Sequence, residues 1–487
     1  MLNKFQSVIS KIVLICVAIF TSVVFVQMVI YFGKNYLTYE PVFNVLVLIC
    51  ALILVLLAAL VLIRISDENP VKNKIVLFSL ITIFAIVAII WIKLLPQTQY
   101  SDFRAFWHNT PRALSGKSIY QMDNDYFAKW AYQTGFLVYV MAVVKIFGHH
   151  IIAIQLLNVL YQVLILVVMY NLVVKIFDNI KMARLSVLLL MIDLDWFALN
   201  SQTNNQYLGM LLFLVTFYLI MLNKYWSFGL AGLTLGLGSI IRPIGPVVIA
   251  GIVVFAVMYL FISNNKLHLD AVWKLLLTLL IYFVIFSGAG MAIKSSGLNE
   301  YGLSNRDSEW KFVIGLDYNS RGVYDQAMVD RFDLKDTRNT MSKKEYSVIR
   351  ENINYLNSNH KWLSLLWSKN STLWAQNSTA ADFTGFDKIH SARATSLMRM
   401  TAYMGTVILI IFSWLGSLLL FKQKFSNNIY LLLLPLMAYA VVQLLIEVQG
   451  RYRLEFIPVI AILGSVGLYN FVKMISQKWR GSHSRNV

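Results

Sequence analysis

The 487 residues are 58% hydrophobic and 14% charged, with a mean hydropathy of +0.64. A water-soluble domain carries about 25% charge and about 45–50% apolar residues, so a soluble globular protein is excluded and the lipid bilayer is the solvent that matters. The 42 Lys and Arg against 24 Asp and Glu give a formal charge of +18; in a chain with many spans this marks short loops held on the cytoplasmic face and argues against nucleic acid as a partner.

The first apolar run, Val8 to Phe32, is broken only by Lys11 and is followed by no small-residue cleavage pattern, so it is expected to be an uncleaved first span. At about 17–25 apolar residues per helix, further spans fall near 42–63, 75–95, 151–174, 184–200, 205–222, 228–241, 246–262, 272–293, 402–421, 428–446 and 454–472. Cys16 and Cys50 lie inside such runs, which leaves no disulfide framework and no cysteine metal site. With twelve crossings and both termini inside, the inner loops carry Arg64, Lys72, Lys74, Lys175, Lys181, Arg184, Lys224, Lys266, Lys274, Lys422 and Lys424, followed by a basic tail that runs from Lys473 to Arg485. Letting Phe136 to Phe147 cross as well would turn half of this pattern upside down, so that short stretch, which also holds Lys145, is expected to lie in the outer interface or to re-enter.

The same parity puts 96–135, 200–205 and 295–401 outside. Segment 295–401 holds 12 acidic and 14 basic residues with Trp310, Trp362, Trp367 and Trp374, the composition of a small folded or membrane-resting domain. The expected architecture is thus an all-α polytopic membrane protein in three parts. Residues 1–294 form an N-terminal transmembrane module with an external loop at 96–135, 295–401 an extracellular domain, and 402–487 the last helices with a cytoplasmic tail. No internal repeat is visible.

Charges at the membrane edge are costly, at about 2.5–3.5 kcal/mol for one at a helix centre, and mark function. Outside the large loop, parity leaves Asp102, Asp123, Asp125, Asp193, Asp195, Glu447 and Glu455 on or near the outer face, apart from Glu40 alone in the first outer loop. Asp102 sits in Tyr100-Ser101-Asp102-Phe103-Arg104-Ala105-Phe106-Trp107, followed by Ala113-Leu114-Ser115-Gly116-Lys117-Ser118-Ile119-Tyr120. Ser-Asp before aromatics could simply cap an interfacial helix. The string also resembles the first external loop of GT-C class glycosyltransferases, polytopic enzymes that use polyprenyl-phosphate sugars and that include protein O-mannosyltransferases and aminoarabinose transferases.

Three further strings carry the resemblance. Gly229 to Pro243 is similar to a Gly-rich helix ending in Arg-Pro, Gly450-Arg451-Tyr452-Arg453 with Pro458 to the start of the last helix, and Gly315-Leu316-Asp317-Tyr318-Asn319-Ser320-Arg321-Gly322 to a string of Gram-positive members. The resemblance implies a GT-C-like bundle of about twelve or thirteen helices and an active site on the extracellular face of the plasma membrane. It also implies transfer of a hexose or pentose from a polyprenyl phosphate to an envelope glycan, lipid or protein. Asp102 would be the general base, and Arg242, Arg451 and Arg453 would hold the departing phosphate, a role that suits a planar guanidinium. Tyr100, Arg104, Tyr120 and Tyr318 would contact substrate. The arginines could equally snorkel or cap helix ends.

Asp193 and Asp195 are two residues apart, so on a helix only one can face a cleft. The class often carries a second carboxylate just before the following helix, where this chain has Asn204-Asn205-Gln206, so either Asp195 is the substitute or the second acid is dispensable. His149 and His150 show no ligand spacing, and the need for a divalent metal stays open. Two other classes remain: a transporter or flippase, which would need no large outer domain, and a polymerase or ligase, which would take an oligosaccharide on pyrophosphate.

Overall fold

A computed structural model describes residues 2–38, 40–120, 126–263, 266–333 and 335–483. Asp123, Asp125 and Arg485 lie outside the described residues. The chain starts with α1 (Leu2–Asn35), α2 (Pro41–Arg64) and α3 (Pro70–Lys93). Pro41 and Pro70 open their helices where an N–H would be unpaired anyway, and the Asn69 side chain accepts from the Val71 and Lys72 amides. Then come α4 (Ser101–Leu114), α5 (Thr134–Phe147), α6 (Ile151–Phe177), α7 (Ile180–Met191), α8 (Gln206–Met221), α9 (Tyr225–Ile241), α10 (Gly245–Phe255) and α11 (Leu269–Ser295). A polar domain with α12 (Trp310–Gly315), α13 (Arg338–Ser358) and α14 (Trp362–Asn370) precedes α15 (Ala392–Leu419), α16 (Tyr430–Gln443) and α17 (Ile457–His483).

Seven helices among the described residues are long and apolar enough to cross a membrane, and five shorter apolar ones run with them. Burial separates them. Only 17% of the most apolar window of α2 is covered, against 83% for Gly450–Gln477 at the last helix, so α15 and α17 form the centre and α2, α3 and α11 the lipid face. At the centre Gly416 lies directly against the Leu463 carbonyl. The Gly-rich string is explained in the same way, since a Cβ on Gly232 would come within 2.5 Å of the Thr278 carbonyl oxygen of α11. Without a hydrophobic drive between helices in lipid, such close backbone approach is what small residues provide.

Two expectations change. The span 184–200 is not one helix: α7 ends at Met191, and Leu194–Phe197 and Ala198–Ser201 follow as separate turns. Asp193 and Asp195 therefore sit at a break and not on one continuous helix. Arg184, expected in a basic inner loop, is fully buried and donates to the Leu62, Ile65 and Ser66 carbonyls, closing the C-terminal end of α2. The loops around it gather at one end of the bundle, where Asp67 meets Lys181 at 3.2 Å and the Ser426 amide donates to the Ile176 carbonyl.

Helix α5, with 14 residues, reaches about 21 Å and falls short of a core about 30 Å thick. It packs Phe136, Leu137 and Val140 under Phe106 of α4 in a small separate core. The polar domain has its own small cores, built on Trp310, Val313, Met341 and Val348 and on Leu316, Leu356 and Leu365. Helix α15 begins at Ala392, where Ser391 caps it, so the stretch between α11 and α15 runs from 296 to 391.

Candidate active site

The string around Asp102 folds as a turn into α4. Ser101 has φ +49, an uncommon left-handed conformation for a residue with a side chain, and the Tyr100 amide is held by the Gln202 side-chain oxygen at 3.1 Å. Tyr100 packs its ring against Gly385, whose φ of +72 and close contact leave no room for a side chain. Tyr100, the residue at the helix N-cap, makes no side-chain capping hydrogen bond, and among the described residues none is present from a backbone amide to Asp102. Its Oδ2 instead accepts from Arg451 Nη2 at 2.8 Å, across 349 residues of sequence. No hydrogen bond to Oδ1 is present among the described residues, and the side chain keeps 37% of its surface exposed.

The Gly450–Phe456 turn before α17 supplies most of the site. Arg451 is oriented by Gln449 Oε1 at 2.8 Å and lies over the rings of Phe103, Phe383 and Tyr452. Arg242, at the end of α9, donates from Nε to Glu455 Oε1 at 2.5 Å, and Gln206 donates to the same oxygen at 3.2 Å. Lys311 of α12 reaches Glu447 Oε2 at 2.6 Å. The Tyr452 ring is the hub, with Arg242, Lys311 and Arg451 at 5.5, 5.8 and 5.7 Å from its centroid, within cation–π range. Three cations and three carboxylates thus converge at the junction of α4, α9, the polar domain and α17.

The pairing sets the charge states. Burial, the largest influence on Glu447, opposes ionisation, but Lys311 and the Gln449 amide together outweigh it and hold the carboxyl below its usual range. Burial likewise disfavours the charged Lys311, and Glu447 more than compensates, leaving the ammonium above its usual range.

The remaining sequence candidates divide. Arg453 and Asp195 are brought to each other and not to Asp102: Nη2 lies 3.3 Å from Oδ2, both side chains are 1% exposed, and Arg453 also holds the Gln376 carbonyl at 2.7 Å and Thr406 at 3.0 Å. A pair so enclosed ties the polar domain to α15 and α17, although Asp195 Oδ1 and Arg453 Nε are buried without a hydrogen-bond partner among the described residues. Tyr120 donates to Glu300 at 3.0 Å, and Tyr318 lies in the polar domain beside Ser364. Arg104 is exposed and forms no ion pair or side-chain hydrogen bond among the described residues. His149 stacks on Trp107 at 4.0 Å, and among the described residues no group of three or more His, Cys, Asp or Glu could hold a metal ion. Lys311 was not legible in advance, because the only sign of it is its partner Glu447, 136 residues away.

Residues 136–291 match the dolichyl-phosphate-mannose-protein mannosyltransferase family, PMT_2. The matched family is one of GT-C type glycosyltransferases, and the match covers about a third of the chain. It runs from within α5 into α11 and includes Arg242, but neither Asp102 nor Arg451. Among solved structures the chain is similar to the archaeal oligosaccharyltransferase AglB from Archaeoglobus fulgidus, in complex with an inhibitory peptide and a dolichol-phosphate. The identity is 11%, the TM-score 0.43, and the alignment covers 84% of this chain and 52% of that one, so the chain spans about half the length of its structural relative. No curated protein matches.

Proposed function

We propose that this GT-C membrane glycosyltransferase moves one sugar from a polyprenyl phosphate to an envelope glycan, lipid or protein on the outer face of the plasma membrane. The observation that carries the reading is the Arg451–Asp102 pair at 2.8 Å, with Asp102 37% and Arg451 7% exposed, and with Arg242 and Lys311 on the same Tyr452 ring as Arg451. A phosphate arriving on its lipid competes with Asp102 for Arg451. Bidentate phosphate is the stronger partner for a guanidinium, so donor binding releases the carboxylate. Asp102 then takes the proton of the acceptor hydroxyl while its oxygen bonds to the sugar C1. The C1–O bond to phosphate breaks, and the negative charge left on polyprenyl phosphate stays with Arg451, Arg242 and Lys311. Glu447 and Glu455 keep the other two cations aimed at this point in the resting state.

The closed Asp195–Arg453 pair fits a brace better than a second base. A single sugar on monophosphate is favoured over an oligosaccharide on pyrophosphate because the mouth holds one partly exposed carboxylate, Asp102, paired to one arginine, Arg451. The test is direct: purified protein in nanodiscs is given radiolabelled polyprenyl-phosphate hexoses together with envelope fractions, and label must pass to an acceptor. Movement of intact donor across the bilayer without transfer would establish a flippase instead.

A further inference from the structure

A cavity of about 680 Å3 opens between the last turns of α1 and the polar domain, apart from the Asp102 site. Tyr31 and Lys34 of α1, Tyr318, Asn319 and Arg321 of the polar domain and Trp367 of α14 are among its lining, which includes no Asp or Glu. The Arg321 turn is built to present its side chain. Arg321 and Gly322 both have positive φ, +57 and +76, and the buried Asp317 carboxylate accepts from the Asn319 and Ser320 amides at 3.3 and 2.9 Å. Beneath the turn the buried Lys369 donates to the Gly315 carbonyl at 2.6 Å, and a Cβ on Gly322 would come within 2.8 Å of its side chain. A left-handed residue with a long side chain is a strained choice that the surroundings must enforce. Neither the Arg321 nor the Lys34 side chain makes an ion pair or hydrogen bond among the described residues.

Two free cations, an absence of acids and three aromatic rings suit one ligand chemistry. Phosphate or carboxylate groups pair with Lys34 and Arg321. Sugar rings lay their C–H faces on Tyr31, Tyr318 and Trp367, and amides such as Asn319 meet hydroxyls. The wall of the cavity leads to the reacting groups. Gln376 lines it and gives its carbonyl to Arg453, and two residues on Ser378 packs against Gly450, next to Arg451.

We infer that this cavity seats an anionic glycan, a saccharide chain bearing phosphate or carboxylate groups, and that this chain is the acceptor. The word acceptor rests on the transferase reading above; binding does not. The same chemistry could come from the headgroup of an anionic phospholipid, and the test separates the two.

Full-length protein in phosphatidylcholine nanodiscs is titrated with fluorescent maltohexaose carrying 6-phosphates and with the same hexamer lacking them. The phosphorylated probe should bind at least about tenfold tighter, and Lys34→Gln or Arg321→Gln should each weaken it by about tenfold, the scale of one charge-assisted bond. Both side chains are exposed, so melting temperatures should not move. Equal binding of the two probes, or binding untouched by both substitutions, overturns the proposal. Displacement of the probe by added phosphatidylglycerol in wild type but not in Arg321→Gln assigns the cavity to a lipid headgroup and overturns the glycan. Asp102→Asn should bind the probe as wild type does. If binding holds while the wild-type protein transfers no sugar, the transferase reading fails and the glycan site stands.

Discussion

Replacing Asp102 by Asn separates chemistry from structure more cleanly than any other change in this protein. The substitution keeps size and an oxygen for Arg451 and removes the negative charge and the basic site. On the structural side it weakens one charge-assisted hydrogen bond of 2.8 Å. Such bonds are worth about 1.5–3 kcal/mol when buried, but the Asp102 side chain is 37% exposed, and screening brings the expected loss to about 1 kcal/mol. For a chain of this size that is a melting shift of about 2–4 °C at most. On the chemical side, loss of a general base costs about 10²–10⁴-fold in rate, equivalent to about 2.7–5.4 kcal/mol of barrier. The two effects differ enough to be told apart in one experiment. Purified variant in nanodiscs is assayed for sugar transfer from polyprenyl phosphate at saturating donor, with thermal unfolding measured on the same sample. A folded, stable protein with transfer reduced at least a hundredfold is expected. Near wild-type transfer refutes the role of Asp102. A large melting shift refutes the premise that its bond to Arg451 is only half buried.

Breaking the Arg242–Glu455 pair should injure the structure as well as donor binding, because the Glu455 side chain is fully enclosed. Arg242→Ala leaves that carboxylate unpaired at a cost of about 3–5 kcal/mol, and the double variant Arg242→Ala with Glu455→Gln should recover most of the stability in a melting assay. In the polar domain, burial first and then the Asp307 charge push Glu345 up to about 9 from 4.5. A carboxyl raised by folding is favourable below its unfolded value, and that contribution is lost as pH rises from 4.5 toward 9. Wild type should therefore lose stability relative to Glu345→Gln across that window, and parallel melting curves from pH 5 to 9 would show that Glu345 is not the cause. Gly416→Leu should disrupt the α15–α17 contact and lower expression of folded protein, whereas Gly33→Leu, with nothing within 4 Å of its Cβ position, should not. Topology is checked by single cysteines in a Cys16→Ala, Cys50→Ala background: an impermeant reagent outside the cell should label Ser304→Cys and spare Lys424→Cys.

Composition and hydropathy alone determined the solvent, the class and most of the helices, since each span must bury its own backbone hydrogen bonds in lipid and so announces itself as a long apolar run. They could not resolve 184–200, where an apolar stretch is interrupted at Asp193 and packs as α7 and two short turns among other helices. The two acids mark the spot, but apolar residues on both sides give no sign that the helix ends there. Tertiary structure alone decided the partners of the charges. Arg451 and Arg453 are two residues apart and look alike in sequence, but one faces Asp102 at a half-open mouth and the other is sealed against Asp195. The Gly450–Phe456 turn sends Arg451 and Arg453 to different partners, and only the placement of α4, 349 residues earlier in the chain, makes the Arg451 side a candidate site. Lys311 entered from the polar domain by the same route, its meaning fixed by Glu447 and the Tyr452 ring and by nothing in its own neighbourhood of sequence.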